Sequence, residues 1–350
     1  MPQSLTDRER RVLEAVIETY VQTAEPAASR MIARRAGLGL SPASIRNTMS
    51  DLEEKGFIYH PHTSAGAIPT DHAYRAYVDS LMRLPPSAVT ANEASHIREE
   101  LSGGRAAVEV ILSRAAQVLG VLTNELGVAV SPSLDEAVLE RLELLQVSSE
   151  RLLLVLTLRS GVVRTIFVEV PSLMAAEAVV QVAVVLNERL AGLALKEIRA
   201  TLSDRLRDAV SAPGSTELIN IFVQEADELF DVAPPAAGPG SSGVLLGSTQ
   251  ALAGQPEFAT KEQLQGLMEV TERRDLLRQA LGARDGGGLT ITIGREHTDP
   301  KLAPFTLVTA SYRCGPLSGV IGVMGPTRMP YEKIVALVDH TSRLVGELLR

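Results

Sequence analysis

The sequence has no tryptophan, and with six tyrosines and six phenylalanines its aromatic content is only 3% of 350 residues. Proteins that hold single-stranded nucleic acid by base stacking need several exposed aromatic side chains, so this composition argues against that mode of binding. Cys314 is the only cysteine, which excludes an intramolecular disulfide and any metal site built from several cysteines. We expect its thiol to be buried.

Long apolar segments are also missing. The amino-terminal segment Thr6–Arg11 is charged and lacks the apolar core of a signal peptide. The most apolar helical stretch, Leu173–Leu186, contains Glu177 and is too short to cross a bilayer. We therefore expect a cytoplasmic protein that does not enter the membrane. Its 45% hydrophobic and 22% charged residues, in a chain of this length, are typical of a globular protein with two or three domains.

Acidic charge is unevenly distributed along the chain. The formal net charge is −8, yet residues 1–83 contain as many basic as acidic residues, so the acidic excess lies beyond them. Within residues 26–50 there are four arginines and neither aspartate nor glutamate. Because salt screens charges over about 10 Å, the charge of this segment, rather than the net charge of the chain, decides whether it can bind phosphate groups. The acidic remainder should limit non-specific binding.

Residues 41–70 predict a short helix followed at once by a hairpin. Ser41 is suited to cap the helix and Pro42 to occupy its first position. Ile45, Met49 and Leu52 share one face, which should pack on two preceding helices, one that begins at Thr6 and ends before Pro26 and one at about 29–36. The first of these opens with a capping box, Thr6 and Glu9. Three helices followed by a small Gly/Pro-bounded hairpin are typical of a winged helix-turn-helix.

The polar residues on the third helix, opposite its apolar face, indicate that this side of the helix contacts DNA. Arginine and asparagine make bidentate contacts to guanine and adenine edges, and a helix N-terminus can receive a phosphate. A wing with the small polar sequence of residues 62–66 suits the DNA backbone or minor groove. The predicted DNA-binding residues are Arg30, Ser41, Ala43, Ser44, Arg46, Asn47, Ser50, His62, Thr63, Ser64 and Gly66. The alternatives are a solvated helix face and an ordinary hairpin loop.

The remaining chain predicts an α+β architecture. Strands are expected at 139–147, 152–158 and 162–170, and again at 289–293, 305–313 and 318–323, with mostly helical sequence between the two sets. A strand set that resumes after a helical interlude suggests one α+β domain with a second unit inserted into it. The predicted bounds are a DNA-binding domain at 1–83, a linker at 84–91, an α+β domain at 92–190 and 286–350, and an insert at 191–285.

Signals for catalysis are weak. The glycines at 315–325 are not followed by the Gly-Lys-Ser/Thr of a phosphate loop. His60 and His62 lie in the predicted wing, and the other histidines are scattered. Glu296, His297 and Asp299 fall in a loop with no nucleophile nearby. We expect no enzymatic activity, no metal site and no cofactor.

Several segments closely resemble the HrcA family of heat-inducible repressors. They are Pro26–Arg30, Leu40–Glu53, Pro61–Gly66, Ile68–Asp71, Tyr74–Asp79, Gly254–Phe258, Ile293–Glu296, Ser311–Tyr312 and Gly319–Tyr331. They occur in the family's order and span nearly the whole chain. Two positions depart from the family pattern: Ala67 replaces the usual arginine of the wing, and Ala28 replaces glycine. The loss of a guanidinium at position 67 should weaken DNA binding and make its salt dependence shallower by about one ion.

The resemblance implies a winged helix-turn-helix, a GAF-like domain and a dimerisation domain inserted into the latter. It also implies a homodimer bound to CIRCE, an inverted-repeat operator upstream of chaperone operons, and activity maintained by the chaperonin GroEL. A twofold dimer matches a twofold operator. The apolar helix faces of the insert are either a dimer interface or a core, and they comprise Leu218, Ile219, Phe222, Leu264, Leu267 and Met268.

Two other functional classes compete with this interpretation. A GAF-like domain could sense a small molecule, which would make the chain a ligand-responsive repressor, although no cluster of polar residues defines a ligand. An adaptor that does not bind DNA conflicts with the acid-free arginine segment at 26–50.

Overall fold

The computed structural model describes residues 5–62, 65–83, 87–102, 108–132, 137–159, 161, 163–207, 213–230, 243–282, 288–314 and 317–349. It confirms a mixed α+β protein. The chain divides into two compact units. The first comprises residues 1–130, 244–311 and 320–345, and the second 131–243, 312–319 and 346–350.

The first unit begins with a cluster of helices and a short hairpin. Its elements are α1 (Asp7–Thr23), α2 (Ser29–Arg35), α3 (Pro42–Glu54), β1 (Ile58–Tyr59), β2 (Ile68–Pro69) and α4 (Asp71–Leu81). The predicted capping box opens α1: the Thr6 Oγ1 accepts from the Glu9 amide at 3.3 Å, and a Glu9 carboxylate oxygen accepts from the Thr6 amide at 2.8 Å. Val12, Val16 and Ile17 of α1 are completely buried.

A five-stranded sheet forms the rest of this unit. The helices before it are α5 (Ala91–Leu101) and α6 (Val108–Thr123). The strands are β3 (Leu126–Val130), β7 (Val244–Leu246), β8 (Leu289–Ile293), β9 (Phe305–Cys314) and β10 (Leu317–Pro326), and they lie in the order β7-β3-β10-β9-β8. The later helices are α11 (Gln250–Ala253), α12 (Lys261–Glu272), α13 (Arg274–Leu281) and α14 (Tyr331–Leu348). Leu126, Leu267, Leu277 and Met324 share one buried cluster between sheet and helices.

The second unit is a three-stranded antiparallel sheet covered by helices. It contains β4 (Leu139–Ser148), β5 (Arg151–Leu158), β6 (Val163–Glu169), α7 (Ala176–Leu190), α8 (Leu195–Leu206), α9 (Pro213–Gln224) and α10 (Ala226–Leu229), in addition to the ends of β9 and β10. The strands pair in the order β4-β5-β6. Alternate residues Leu152, Leu154, Leu156 and Leu158 of β5 are completely buried, as a period of two predicts.

These units differ from the predicted bounds of an insert at 191–285 in an α+β domain at 92–190 and 286–350. The strands at 139–169 hydrogen-bond to each other rather than to the later strand set, and their leucine face packs on α7, α8 and α9. The chain also leaves and re-enters the larger sheet on paired strands, since Val130 of β3 lies opposite Val244 of β7. We therefore propose that the insert runs from 131 to 243.

One further element differs from the expectation. Helix α6 ends at Thr123, and Leu126–Val130 forms β3, which is not among the strands expected from the sequence. Helices α12 and α13 are separated at Arg273, where ψ is 77°. No helix in the described ranges is both long enough and apolar enough to cross a bilayer.

Candidate nucleic-acid interface

Helix α3 is positioned by its first turn and by its apolar face. Ser41 caps it as predicted, with its hydroxyl 3.1 Å from the amide of Ser44, and Pro42 occupies the first turn. Ile45 and Leu52 are completely buried and Met49 is 3% exposed. Because these residues pack on α1 and α2, the other side of α3 must face solvent.

The exposed side of α3 carries the side chains that the sequence singled out. Ala43, Arg46, Asn47 and Ser50 are all exposed, and so is the capping Ser41. Arg30, in the first turn of α2, is exposed as well. Exposure is a necessary condition for DNA contact, and the contact itself stays a prediction for each of these residues.

Ser44 differs from its neighbours because it is partly buried. Its hydroxyl oxygen accepts a hydrogen bond of 2.9 Å from an Nη2 hydrogen of Arg8, and its carbonyl oxygen accepts another of 2.8 Å from the same nitrogen. Arg8 belongs to α1, 36 residues earlier, and was not among the predicted site residues. No local signal distinguishes it from Arg10 and Arg11, because the contact depends on how α1 packs against α3.

The hairpin after α3 is fixed at its base. Ile58 pairs with Pro69 and Tyr59 with Ile68. The hairpin also pairs with the segment before α2. The Ala27 amide donates a hydrogen bond of 2.8 Å to the Ala67 carbonyl oxygen, and the Ala67 amide donates one of 3.0 Å to the Ala27 carbonyl oxygen. The chain thus returns to the helices immediately after the hairpin tip.

Gly66 lies where the hairpin contacts this segment. An added Cβ would stand 2.4 Å from the carbonyl oxygen of Pro26 and 2.5 Å from the carbonyl carbon of Ala27. Close packing therefore requires glycine here, independently of the predicted DNA contact. His62 is exposed at the tip, and the predicted contacts at Thr63 and Ser64 lie outside the described residues.

Ala67 is completely buried, with both of its backbone groups bonded to Ala27. The side chain at this position therefore points into the junction between hairpin and helices in this protein. The expected effect of the missing arginine on DNA affinity stays a prediction.

A groove of about 600 Å³ runs between the start of α2, the middle of α3 and the hairpin. Its lining comprises Ala28, Ser29, Arg46, Met49, Ser50, Glu53, His60, Ala65 and Gly66. The ring Nδ1 of His60 lies 2.9 Å from a carboxylate oxygen of Glu53, and this contact lowers the pKa of the Glu53 carboxyl. The groove therefore contains an arginine together with a carboxylate that is already paired.

Charged contacts connect the helical cluster to the sheet of the same unit. Arg75 of α4 donates from Nε to Glu296 at 2.6 Å and from Nη2 to the carbonyl oxygen of Ile291 at 2.8 Å. Burial raises the pKa of the Glu296 carboxyl, but hydrogen bonds from Arg75 and from the Ile293 amide outweigh it, so the net shift is downward. The Arg295 amide donates to Asp71 at 3.1 Å.

A second connection joins two of the sequence motifs, Gly254–Phe258 and Gly319–Tyr331. Arg328 donates to Glu257 at 3.0 Å and to the carbonyl oxygen of Val21, near the end of α1, at 2.9 Å. Beside it, the Gln255 amide nitrogen donates to a carboxylate oxygen of Glu125 at 2.9 Å. Glu125 is 2% exposed, and burial raises its pKa to about 8. These motifs therefore support the end of α1.

The six residues predicted for dimerisation mostly form cores. Leu218, Ile219 and Phe222 are at most 2% exposed and pack inside the second unit, and Leu267 is completely buried in the first. Leu264 and Met268 are 38% and 46% exposed. Four of the six therefore cannot reach a second molecule while the units stay folded, which is the core alternative that the sequence left open. Within the described residues, no three metal-ligating side chains cluster.

Known proteins resemble this chain over nearly its whole length. The family model for the HrcA protein C-terminal domain matches residues 109–335. Heat-inducible transcription repressors named HrcA from Chlorobium phaeobacteroides strain BS1 and Chlorobium limicola are both 38% identical. The first match covers 96% of each chain, and the second covers 99% of this chain and 98% of the relative. A crystal structure described as that of a hypothetical protein aligns over 99% of both chains with a TM-score of 0.66 and 23% identity, which supports the fold.

Proposed function

This chain belongs to the HrcA family, and the relatives it resembles are named heat-inducible transcription repressors. We propose that it represses heat-shock chaperone operons. It binds an inverted-repeat operator of the CIRCE type as a homodimer. The observation that carries the proposal is the exposed side of α3, where Arg46, Asn47 and Ser50 stand in a segment without acidic residues.

Helices α1 to α3 and the hairpin act as a winged helix-turn-helix. The buried side of α3 fixes its orientation, and its exposed side enters the major groove, where Asn47 and Arg46 contact base edges. The hairpin follows α3 after a few residues and acts as the wing beside it. The contact between the His60 ring and the Glu53 carboxylate supports this role, because the carboxylate in the groove already has a hydrogen-bond partner.

The five-stranded sheet acts as the GAF-like domain, and residues 131–243 act as the inserted dimerisation domain. The outer face of β4–β6 is the proposed dimer surface. Leu145, Leu153 and Phe167 lie side by side across its three strands, and the side chains of Leu145 and Phe167 are 51% and 61% exposed. This face packs against the same face of a second protomer, because an inverted-repeat operator requires two recognition helices related by a twofold axis.

GroEL maintains the active state by returning unfolded repressor to the folded form. When misfolded proteins occupy the chaperonin, the folded fraction falls and repression lapses. The competing proposal is a repressor whose GAF-like sheet binds a small molecule.

The test is a gel shift with an inverted-repeat chaperone promoter, with a scrambled duplex and with a single half-site. We expect the inverted repeat to bind most tightly and GroEL with ATP to raise the active fraction without any added metabolite. Failure to prefer the inverted repeat under any of these conditions would refute the operator proposal. Activation by a metabolite but not by GroEL would favour the ligand-responsive alternative.

A further inference from the structure

We infer that Arg8, in the first turn of α1, is an additional DNA-backbone contact that is held in place by Ser44 of α3. The inference rests on the proposed function, because it concerns the same DNA interface. It adds a residue from a different helix, one that the sequence motifs of the interface do not include.

The location of Arg8 is set by two hydrogen bonds. Nη2 donates to the Ser44 carbonyl oxygen at 2.8 Å and to its hydroxyl oxygen at 2.9 Å. Ser44 lies in the first turn of α3, between the exposed residues Ala43 and Asn47. The guanidinium of Arg8 therefore lies beside the end of α3 from which base-reading residues project, and the side chain is exposed.

The hydrogen-bonding capacity of Arg8 is only partly used by Ser44. A guanidinium has five N–H donors in a planar fork, and the two contacts to Ser44 use only those on Nη2. Among the hydrogen bonds of the described residues, none uses the donors on Nε and Nη1 of Arg8. A phosphate is the acceptor that suits this arrangement, because it takes parallel hydrogen bonds from arginine and lies along the edges of a groove that contains a recognition helix.

The two acidic residues nearest along the chain, Asp7 and Glu9, form no ion pair with Arg8 among the described residues. The Glu9 carboxylate is held by the Lys55 ammonium at 2.8 Å and by the Thr6 amide, and these contacts lower its pKa. Within the ranges that the structure describes, the ion pairs include none between Arg8 and a carboxylate. Arg8 therefore adds a positive charge to the acid-free segment at 26–50.

Arg10 provides a matched control on the same helix. It lines a separate cavity of about 330 Å³ between α1 and α4, together with Tyr77 and Arg83. Replacing either arginine by alanine removes one positive charge, but only Arg8 contacts α3. An effect limited to Arg8 therefore reports its location rather than the net charge.

The experiment measures the affinity of the full chain for the inverted repeat and for a scrambled duplex between 50 and 200 mM salt. We expect Arg8→Ala to weaken both by about three- to tenfold and to reduce the slope of log K against log salt by about 0.9 for each protomer. Arg10→Ala should keep the wild-type slope, and Arg8→Lys should keep most of it because the charge remains.

Two results would overturn the inference. The first is an Arg8→Ala variant that melts at a lower temperature but keeps the wild-type slope of log K against log salt. Arg8 would then stabilise the packing of α1 against α3 without contacting DNA. The second is an equal change of slope in the Arg8 and Arg10 variants, which would indicate a general charge effect. Failure of the wild-type protein to bind the inverted repeat would refute the proposed function instead, so the two failures are distinguishable.

Discussion

Two glycine-to-alanine substitutions are expected to change stability in opposite directions. At Gly66 the new Cβ would stand 2.4 Å from the Pro26 carbonyl oxygen, so the hairpin must move by about 1 Å to reach an ordinary contact distance. That movement breaks or strains the two hydrogen bonds between Ala27 and Ala67. At Gly266, in the interior of α12, an added Cβ meets no atom within 4 Å apart from its own helix backbone.

The magnitudes follow from these contacts. The two strained hydrogen bonds cost about 0.5–1.5 kcal/mol each and overpacking about 1–3 kcal/mol, so Gly66→Ala should lower the free energy of unfolding by about 2–6 kcal/mol. Gly266→Ala should raise it by about 0.5–1 kcal/mol, because alanine loses less backbone entropy in a helix. For a unit of this size, at about 2–4 °C for each kcal/mol lost, the Gly66 variant should melt about 4–24 °C lower.

Far-ultraviolet circular dichroism during urea and thermal unfolding measures both variants, and hydrogen exchange of the Ala27 and Ala67 amides reports the hairpin junction. We expect faster exchange at both amides in the Gly66 variant and wild-type exchange in the Gly266 variant. A Gly66→Ala protein that unfolds with the wild-type midpoint and protects both amides would refute the described packing of the hairpin.

Three further predictions concern other parts of the chain. Glu125 holds its proton in the native state up to about pH 8, whereas the unfolded chain releases it near pH 4.5. The free energy of unfolding should therefore fall as the pH rises from 4.5 to 8, by at most about 1.4 kcal/mol for each pH unit. Glu125→Gln should flatten this dependence, and melting curves at pH 5 and pH 8 would check it. Arg328→Ala removes the donors to Glu257 and to the end of α1, and should cost about 2–3 kcal/mol in urea unfolding. If the proposed dimer forms through this face, Phe167→Asp should convert it to a monomer in analytical ultracentrifugation, whereas Val121→Asp, at a residue 72% exposed in the other unit, should leave it intact.

The helices of the candidate site could be predicted from local chemistry. The capping box at Thr6 and the serine-proline start of α3 are contained within a few residues, and the buried face of α3 follows from its period of 3.6. The exposure of Arg46 and Asn47 follows from the same periodicity. Local patterns were sufficient here because each feature depends on neighbours within one helix.

Features that depend on tertiary packing could not be predicted in this way. Arg8 contacts Ser44 across 36 residues, and the pairing of β3 with β7 joins segments separated by more than 100 residues. The short strand Leu126–Val130 follows a helix of similar apolar composition, so no change of period marked its start. Leu218 and Phe222 could not be assigned to a core or to an interface from their spacing alone, because both environments require the same apolar helix face.

The measurement that tests the central claim most directly is the ratio of affinities for the inverted repeat and for a scrambled duplex of equal length, obtained by fluorescence anisotropy at one salt concentration. The wild-type protein should prefer the inverted repeat by about 10³-fold or more. An Arg46→Ala, Asn47→Ala double variant should lose most of this preference while keeping its affinity for scrambled DNA within about tenfold, because base contacts carry the discrimination. A double variant that discriminates as well as the wild type would contradict the assignment of α3 as the recognition helix.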